Sequence, residues 1–97
     1  MDFWKYPNEK FEIEMDFSSL LGASETISTA TVTAYDKDGT DVSATLLDGA
    51  TKTIDGGSIK IQVQAGTAGE RYKIVFQADT SVPQTFKEKS LCEVKEL

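Results

Sequence analysis

The chain has 97 residues, with 16 Asp and Glu against 10 Lys and Arg, no histidine and a single cysteine, Cys92. That length holds one core and no more, and a lone thiol forms no intrachain disulfide. A formal charge of −6 disfavours partners held through phosphate, so neither nucleic acid nor a membrane surface is expected, and the commonest metal ligand and neutral-pH base are both missing.

The chain opens Met1-Asp2-Phe3-Trp4-Lys5-Tyr6-Pro7. A secretory leader needs a basic start and an unbroken apolar run of about 7–15 residues. Asp2, Lys5 and Pro7 break this one, and the chain reads as a soluble product, cytoplasmic when synthesised. Residues 1–10 read as an N-terminal arm, partly mobile, ahead of one domain over 11–97. In the arm, Trp4 and Tyr6 flank Lys5. They read equally as an exposed aromatic anchor for a partner or as a cover folded over one end of the domain.

From Phe11 onward the dominant period is two, the strand period. Phe11, Ile13, Met15 and Phe17 alternate with Glu12, Glu14 and Asp16, which predicts a first strand with one apolar and one acidic face. Phe17 to Leu21 reads as a single helical turn, with Ser18 and Ser19 able to cap and Gly22 able to terminate. Ser28 to Tyr35 predicts a threonine-rich strand with Ala30, Val32 and Ala34 on one side. Asp36 to Asp41 predicts a turn around Gly39. Val42 to Leu47 reads as a third strand, closed by Asp48-Gly49, and Thr51 to Ile54 as a further short one. Asp55-Gly56-Gly57 is a tight-turn signal. Ile59, Ile61 and Val63 then alternate with Lys60 and Gln62. Arg71 to Ala78 reads as the central strand, with Tyr72, Ile74, Phe76 and Ala78 on one face. Thr85 to Val94 closes the chain, and its parity slips between Phe86, Leu91 and Val94, which predicts a β-bulge.

Strands at this spacing predict an all-β sandwich or barrel. Tyr72 selects the sandwich. It follows the glycine turn Gly66-Thr67-Ala68-Gly69 at the start of the most apolar strand, the place of a tyrosine corner in immunoglobulin-like domains, with its hydroxyl bonded to upstream backbone. The expectation is an immunoglobulin-like antiparallel β-sandwich of about seven strands.

Candidate chemistry is weak throughout. Asp36, Asp38 and Asp41 offer hard oxygens, but glycine arrives too early for a calcium loop, and a solvated turn is the better reading. Glu12, Glu14 and Asp16 are carboxylates of one strand facing water, with no cleft between them. Cys92 has no histidine partner and an acidic neighbour, Glu93, which raises its pKa and favours a buried structural role. Ser18 and Ser19 lack a base. Gly66 to Gly69 lacks the lysine and helix of a phosphate loop. No catalytic, cofactor-binding or metal residue is assigned, no cofactor is expected, and the chain is read as no enzyme.

Several blocks together resemble a family of small tailed-phage and prophage structural proteins with an immunoglobulin-like fold, including fibre-tail adaptor and head–tail or tail-associated proteins. The resemblance rests on Pro7 followed by Phe11, on Met15-Asp16-Phe17 and Leu20-Leu21-Gly22, on Glu25-Thr26-Ile27-Ser28, on Ile59-Lys60-Ile61, and on Gly66-Thr67-Ala68-Gly69 followed by Tyr72-Lys73-Ile74. It covers about Pro7 to Val94. Phe17 stands where that family usually carries tryptophan. The resemblance implies a non-enzymatic structural or assembly role in a tail or head–tail connector. Its implied partners are other phage structural proteins, with a homo-oligomer in the assembled, virion-associated form. The alternative is a bacterial immunoglobulin-like or fibronectin-like module that binds a protein or carbohydrate. That reading calls for an exposed aromatic strip, to which Trp4, Tyr6 and Tyr35 are the available contributors.

Overall fold

A computed structural model describes residues 2–96. Met1 and Leu97, the outer limits of the expected arm and domain, lie outside the described residues. The strands are β1 (Asp2–Lys5), β2 (Phe11–Asp16), β3 (Ile27–Tyr35), β4 (Leu47–Asp55), β5 (Ser58–Val63), β6 (Arg71–Thr80) and β7 (Thr85–Val94). They form two sheets, ordered β1-β7-β6-β3 and β2-β5-β4, as expected for an immunoglobulin-like sandwich of about seven strands.

Alternation builds the core. Ile13 and Met15 of β2, Ile59, Ile61 and Val63 of β5, and Leu47 of β4 project inward from one sheet. Ala30 and Ala34 of β3, Tyr72, Ile74, Phe76 and Ala78 of β6, and Cys92 and Val94 of β7 meet them from the other. Burying each of the larger apolar side chains stabilises the fold by about 1.5–3 kcal/mol. Phe17 is fully buried, and its N–H donates to the Gly57 carbonyl at 2.8 Å. The turn expected after it is a 3₁₀ turn at Ser18–Leu20.

Four expectations need correction. The first concerns the arm: Asp2–Lys5 pairs with β7 as strand β1, from Asp2↔Leu91 to Lys5↔Val94. The second concerns strand direction, because that pairing is parallel in a sandwich otherwise antiparallel. A parallel pair needs a long crossover, and nearly the whole domain separates β1 from β7. In constant-type immunoglobulin sandwiches the first strand lies beside the second, in the other sheet.

The third concerns Val42–Leu47. Ser43–Leu46 is a single α-helical turn, α1, and β4 begins only at Leu47. Leu46 and Leu47 are both buried. Consecutive residues of a regular strand point to opposite faces, so a helical residue followed by an extended one solves what a strand would not. Asp48-Gly49 lies inside β4, where the register shifts between Asp48 and Thr53. The fourth concerns β7. Its register with β6 is unbroken from Arg71↔Glu93 to Asp79↔Thr85. Ser90, Cys92 and Val94 are the inward set, and Leu91 points outward with 43% exposure. An exposed leucine at position 91 is what makes the parity of this strand look broken in the sequence.

Candidate functional site

The end of the sandwich near the N-terminus is held by two devices. The Thr67 backbone N–H donates to the Tyr72 hydroxyl at 3.0 Å, forming the expected corner. Gly66 in this loop has φ of +99°, and a Cβ there would lie 2.9 Å from Val94 Cγ2. The second device is Lys5. Its side chain is fully buried, with Nζ donating to the Tyr6 carbonyl at 2.8 Å and to the Ala65 carbonyl. Ala65 itself has φ of +51°. Burial lowers the Lys5 pKa, an effect partly offset by Cys92 and Glu9. The amine therefore ties β1 to the loop after β5. No motif advertises this, because a lysine between two aromatics reads as surface.

With Phe3 and Lys5 turned inward, Trp4 turns outward. Its ring meets Tyr6 edge-on at 5.1 Å between centroids, and Lys95 Nζ lies 4.8 Å from its centre. Tyr35 of β3 lies under Lys73 Nζ at 5.5 Å. A groove of about 610 Å³ runs along this outer face of the four-stranded sheet, lined among others by Trp4, Tyr35, Arg71, Lys73, Leu91 and Glu93. Trp4 is 49% exposed. Tryptophan, tyrosine and arginine side chains are the ones enriched at protein-contact centres. The structure thus brings Trp4, Tyr6 and Tyr35 to one region. Leu91, Lys73 and Arg71 join them unforeseen, since only the strand register reveals which face they share.

The other sequence candidates are dispersed. Asp36 Oδ1 accepts the backbone N–H of Asp38 and of Thr40, both at 2.9 Å. Asp41 Oδ1 accepts the Ser43 N–H at 2.9 Å and its hydroxyl at 2.6 Å, which holds the Asp41 carboxyl below its usual range. These turn carboxylates are engaged by their own backbone. Among the described residues no group of three or more His, Cys, Asp or Glu converges as a metal cage would require. Glu12, Glu14 and Asp16 lie on the outer face of the three-stranded sheet. Ser18 packs beneath Gly57, where a Cβ would come within 3.0 Å of the serine Cβ. Cys92 is buried, and burial, opposed by nearby Lys5, pushes its thiol up to about 11. Burial, rather than Glu93, is the cause, and a thiol so raised is a poor nucleophile.

An immunoglobulin-like sandwich with a non-nucleophilic thiol, engaged turn carboxylates and an exposed aromatic groove belongs to the class of proteins that work by contact. Two solved structures of the titin M10–obscurin-like 1 Ig complex, the second with an F17R mutant, superpose with TM-scores of 0.54 and 0.50. They are 13% and 14% identical, and the match covers 99% of this chain and 87% and 85% of theirs. This likeness establishes the fold. Among curated proteins nothing matches. The family model described as podophage GP4 fiber-tail adaptor protein gp77 matches residues 5–92, and the chain belongs to that family. It is a non-enzymatic structural component of a phage tail, associated with the virion and in contact with other phage structural proteins.

Proposed function

We infer that the chain acts as the adaptor between tail and fibre. It takes hold of a neighbouring phage structural protein through the outer face of the β1-β7-β6-β3 sheet, with copies of the chain lying together in the particle. It is made in the host cytoplasm, needs no cofactor and has neither nucleic acid nor membrane as partner. The single observation that carries this reading is the half-exposed Trp4, next to a buried Lys5 in β1, lining one groove with Leu91, Arg71 and Glu93. A large aromatic held at the surface over a groove is the kind of anchor that dominates binding at an interface.

Gradient-purified particles test this by mass spectrometry. The chain is expected to sediment with tail proteins, and the double substitution Trp4→Ala, Leu91→Lys to lower its content at least tenfold without loss of fold. A chain found monomeric in the soluble fraction and absent from particles overturns the reading. Trp4 and Tyr35 border one groove, which favours a ligand-displaying module as the second reading. Saturable glycan binding by the free chain, lost in Trp4→Ala, would support it.

A further inference from the structure

We propose that the open edge of β2 receives an extended segment of a partner phage protein in which apolar residues alternate with lysine or arginine. The partner class rests on the adaptor reading above. The site itself rests on hydrogen-bond geometry and charge.

In an antiparallel pair, directly opposed residues alternate between hydrogen-bonded and non-bonded positions. The Phe17 N–H donates to the Gly57 carbonyl at 2.8 Å, one step beyond the Asp16↔Ser58 pair of the β2–β5 register. The odd-numbered residues of β2 therefore turn their N–H and C=O groups to β5. Glu12, Glu14 and Asp16 turn theirs to the open side, where among the described residues no hydrogen bond meets them. The strand that would flank β2 in a constant-type sandwich is β1, and here β1 belongs to the other sheet.

The other edges are blunted. On β3, Val42 N–H donates to the Ala34 carbonyl at 2.8 Å, Ser43 Oγ accepts the Ala34 N–H at 2.9 Å, and Lys52 Nζ donates to the Ala30 carbonyl at 2.7 Å. β4 carries a register shift, and β1 is four residues long. Irregular and short edges resist strand addition. β2 is regular over Phe11–Asp16.

Charge selects the occupant. A strand added to β2 places side chains beside Glu12, Glu14 and Asp16 on the outer face, and others beside Ile13 and Met15 on the inner one. Basic residues match the first set and apolar residues the second. A second copy is disfavoured. Two β2 strands paired antiparallel about Glu14 set Glu14 against Glu14 and Glu12 against Asp16, and like charges directly opposed destabilise a pair.

The test uses a soluble heptapeptide of alternating valine and lysine, titrated against the isotope-labelled chain. The expected result is saturable amide shifts with at least tenfold slower hydrogen exchange at Glu12, Glu14 and Asp16. A valine–glutamate peptide is expected to leave them unchanged. Glu14→Pro removes an N–H that faces the open side and breaks no ladder bond; it is expected to weaken binding at least tenfold. Glu12→Lys with Glu14→Lys keeps every backbone donor and is expected to exchange the peptide preference. No saturable shift at these amides, or unchanged binding to both variants, overturns the proposal. In particles, wild type present with Glu14→Pro incorporated equally well defeats this edge and leaves the adaptor reading standing. Absence of wild type defeats the adaptor reading, while the peptide titration still decides the edge.

Discussion

On the three-stranded sheet the outer side chains include Glu12, Glu14, Asp16, Asp48 and Asp55, relieved by Lys60 and by Lys10, which pairs with Asp48 at 2.8 Å. On the four-stranded sheet they include Arg71, Lys73, Lys87 and Lys89 with Trp4, Tyr35 and Leu91, and the acids Asp2, Asp79 and Glu93. A net charge of −6 therefore hides a segregation. Half of the acidic surplus lies away from the aromatic groove, on the outer face of the sheet with the open strand edge. The groove side carries cations that stack on rings and an arginine that pairs with Glu93 at 3.3 Å. The difference in chemistry has a counterpart in support. The acidic face is held by an ordinary ladder, whereas the groove depends on a buried lysine and a tyrosine corner.

That dependence gives the largest expected effect. Lys5→Met keeps most of the side-chain volume, leaves the Ala65 carbonyl without its donor, and leaves the Tyr6 carbonyl with the Glu9 N–H alone, at 3.3 Å. An acceptor orphaned inside the protein costs about 1–3 kcal/mol, and with the weakened Tyr6 contact a loss of about 2–3 kcal/mol is expected. Denaturant unfolding measures it. Trp4 is the sole tryptophan, so its emission reports the groove directly and is expected to shift to the red. Exchange of the Glu12 and Glu14 amides is expected to stay as in wild type. A shift in both regions together would show that the two faces are not independently supported.

The next effect lies at the same staple and depends on pH. Burial pushes the folded Cys92 thiol up to about 11, from an ordinary thiol value of 9.0. A pKa raised by folding contributes stability that is complete below pH 9 and is lost as pH rises toward 11. Two pH units between the states amount to about 2–3 kcal/mol at most, with about 2 kcal/mol gone by pH 11. Lys5 runs the other way, because its pKa is lowered by burial, so the folded state binds fewer protons than the unfolded one and stability rises with pH as this group titrates. The two partly cancel in the native chain. Cys92→Ala removes one of them, and its stability relative to wild type is expected to improve from pH 9 to pH 11. A constant difference across that window would place the thiol's titration elsewhere.

Much of the framework was legible because it depends on local alternation. Ile59, Ile61 and Val63, the run Tyr72 to Ala78, the Asp55-Gly56-Gly57 turn and the tyrosine corner follow from period two and turn chemistry. The errors arose where a residue's side is set by distant partners. Leu91 faces out because an unbroken ladder with β6 fixes the parity of β7. Leu46 and Leu47 share the core because one helical turn precedes β4. Lys5 is inside because the loop at Ala65 offers it a carbonyl beside that of Tyr6. The groove was half visible: Trp4 and Tyr6 read equally as anchor or cover, with Tyr35 as a further contributor to an aromatic strip, but Arg71, Lys73 and Leu91 join them only through the β3–β6–β7 register. The charge segregation was illegible for the same reason. Sequence order interleaves the two faces, and pairing sorts them.

The smallest expected effect sits on the acidic face and sharpens the contrast. Asp55 and Lys60 pair at 2.8 Å, with side chains 69% and 26% exposed. The hydrogen bond from Lys60 lowers the Asp55 pKa, and the same bond raises that of Lys60. A carboxylate lowered by folding contributes stability above its unfolded pKa and loses it as pH falls through the folded value, so this pair weakens in acid. Water and salt screen it. At about 1 M salt the screening length falls to about 3 Å, and the pair is then expected to contribute nothing measurable. Asp55→Asn should leave the unfolding midpoint close to wild type at neutral pH, and salt should erase what difference remains. The loss in Lys5→Met should survive the same salt, because its hydrogen bonds are enclosed by protein. Equal salt sensitivity of the two variants would mean that solvent reaches the Lys5 amine, and the groove would then lack the dry support on which its rigidity depends.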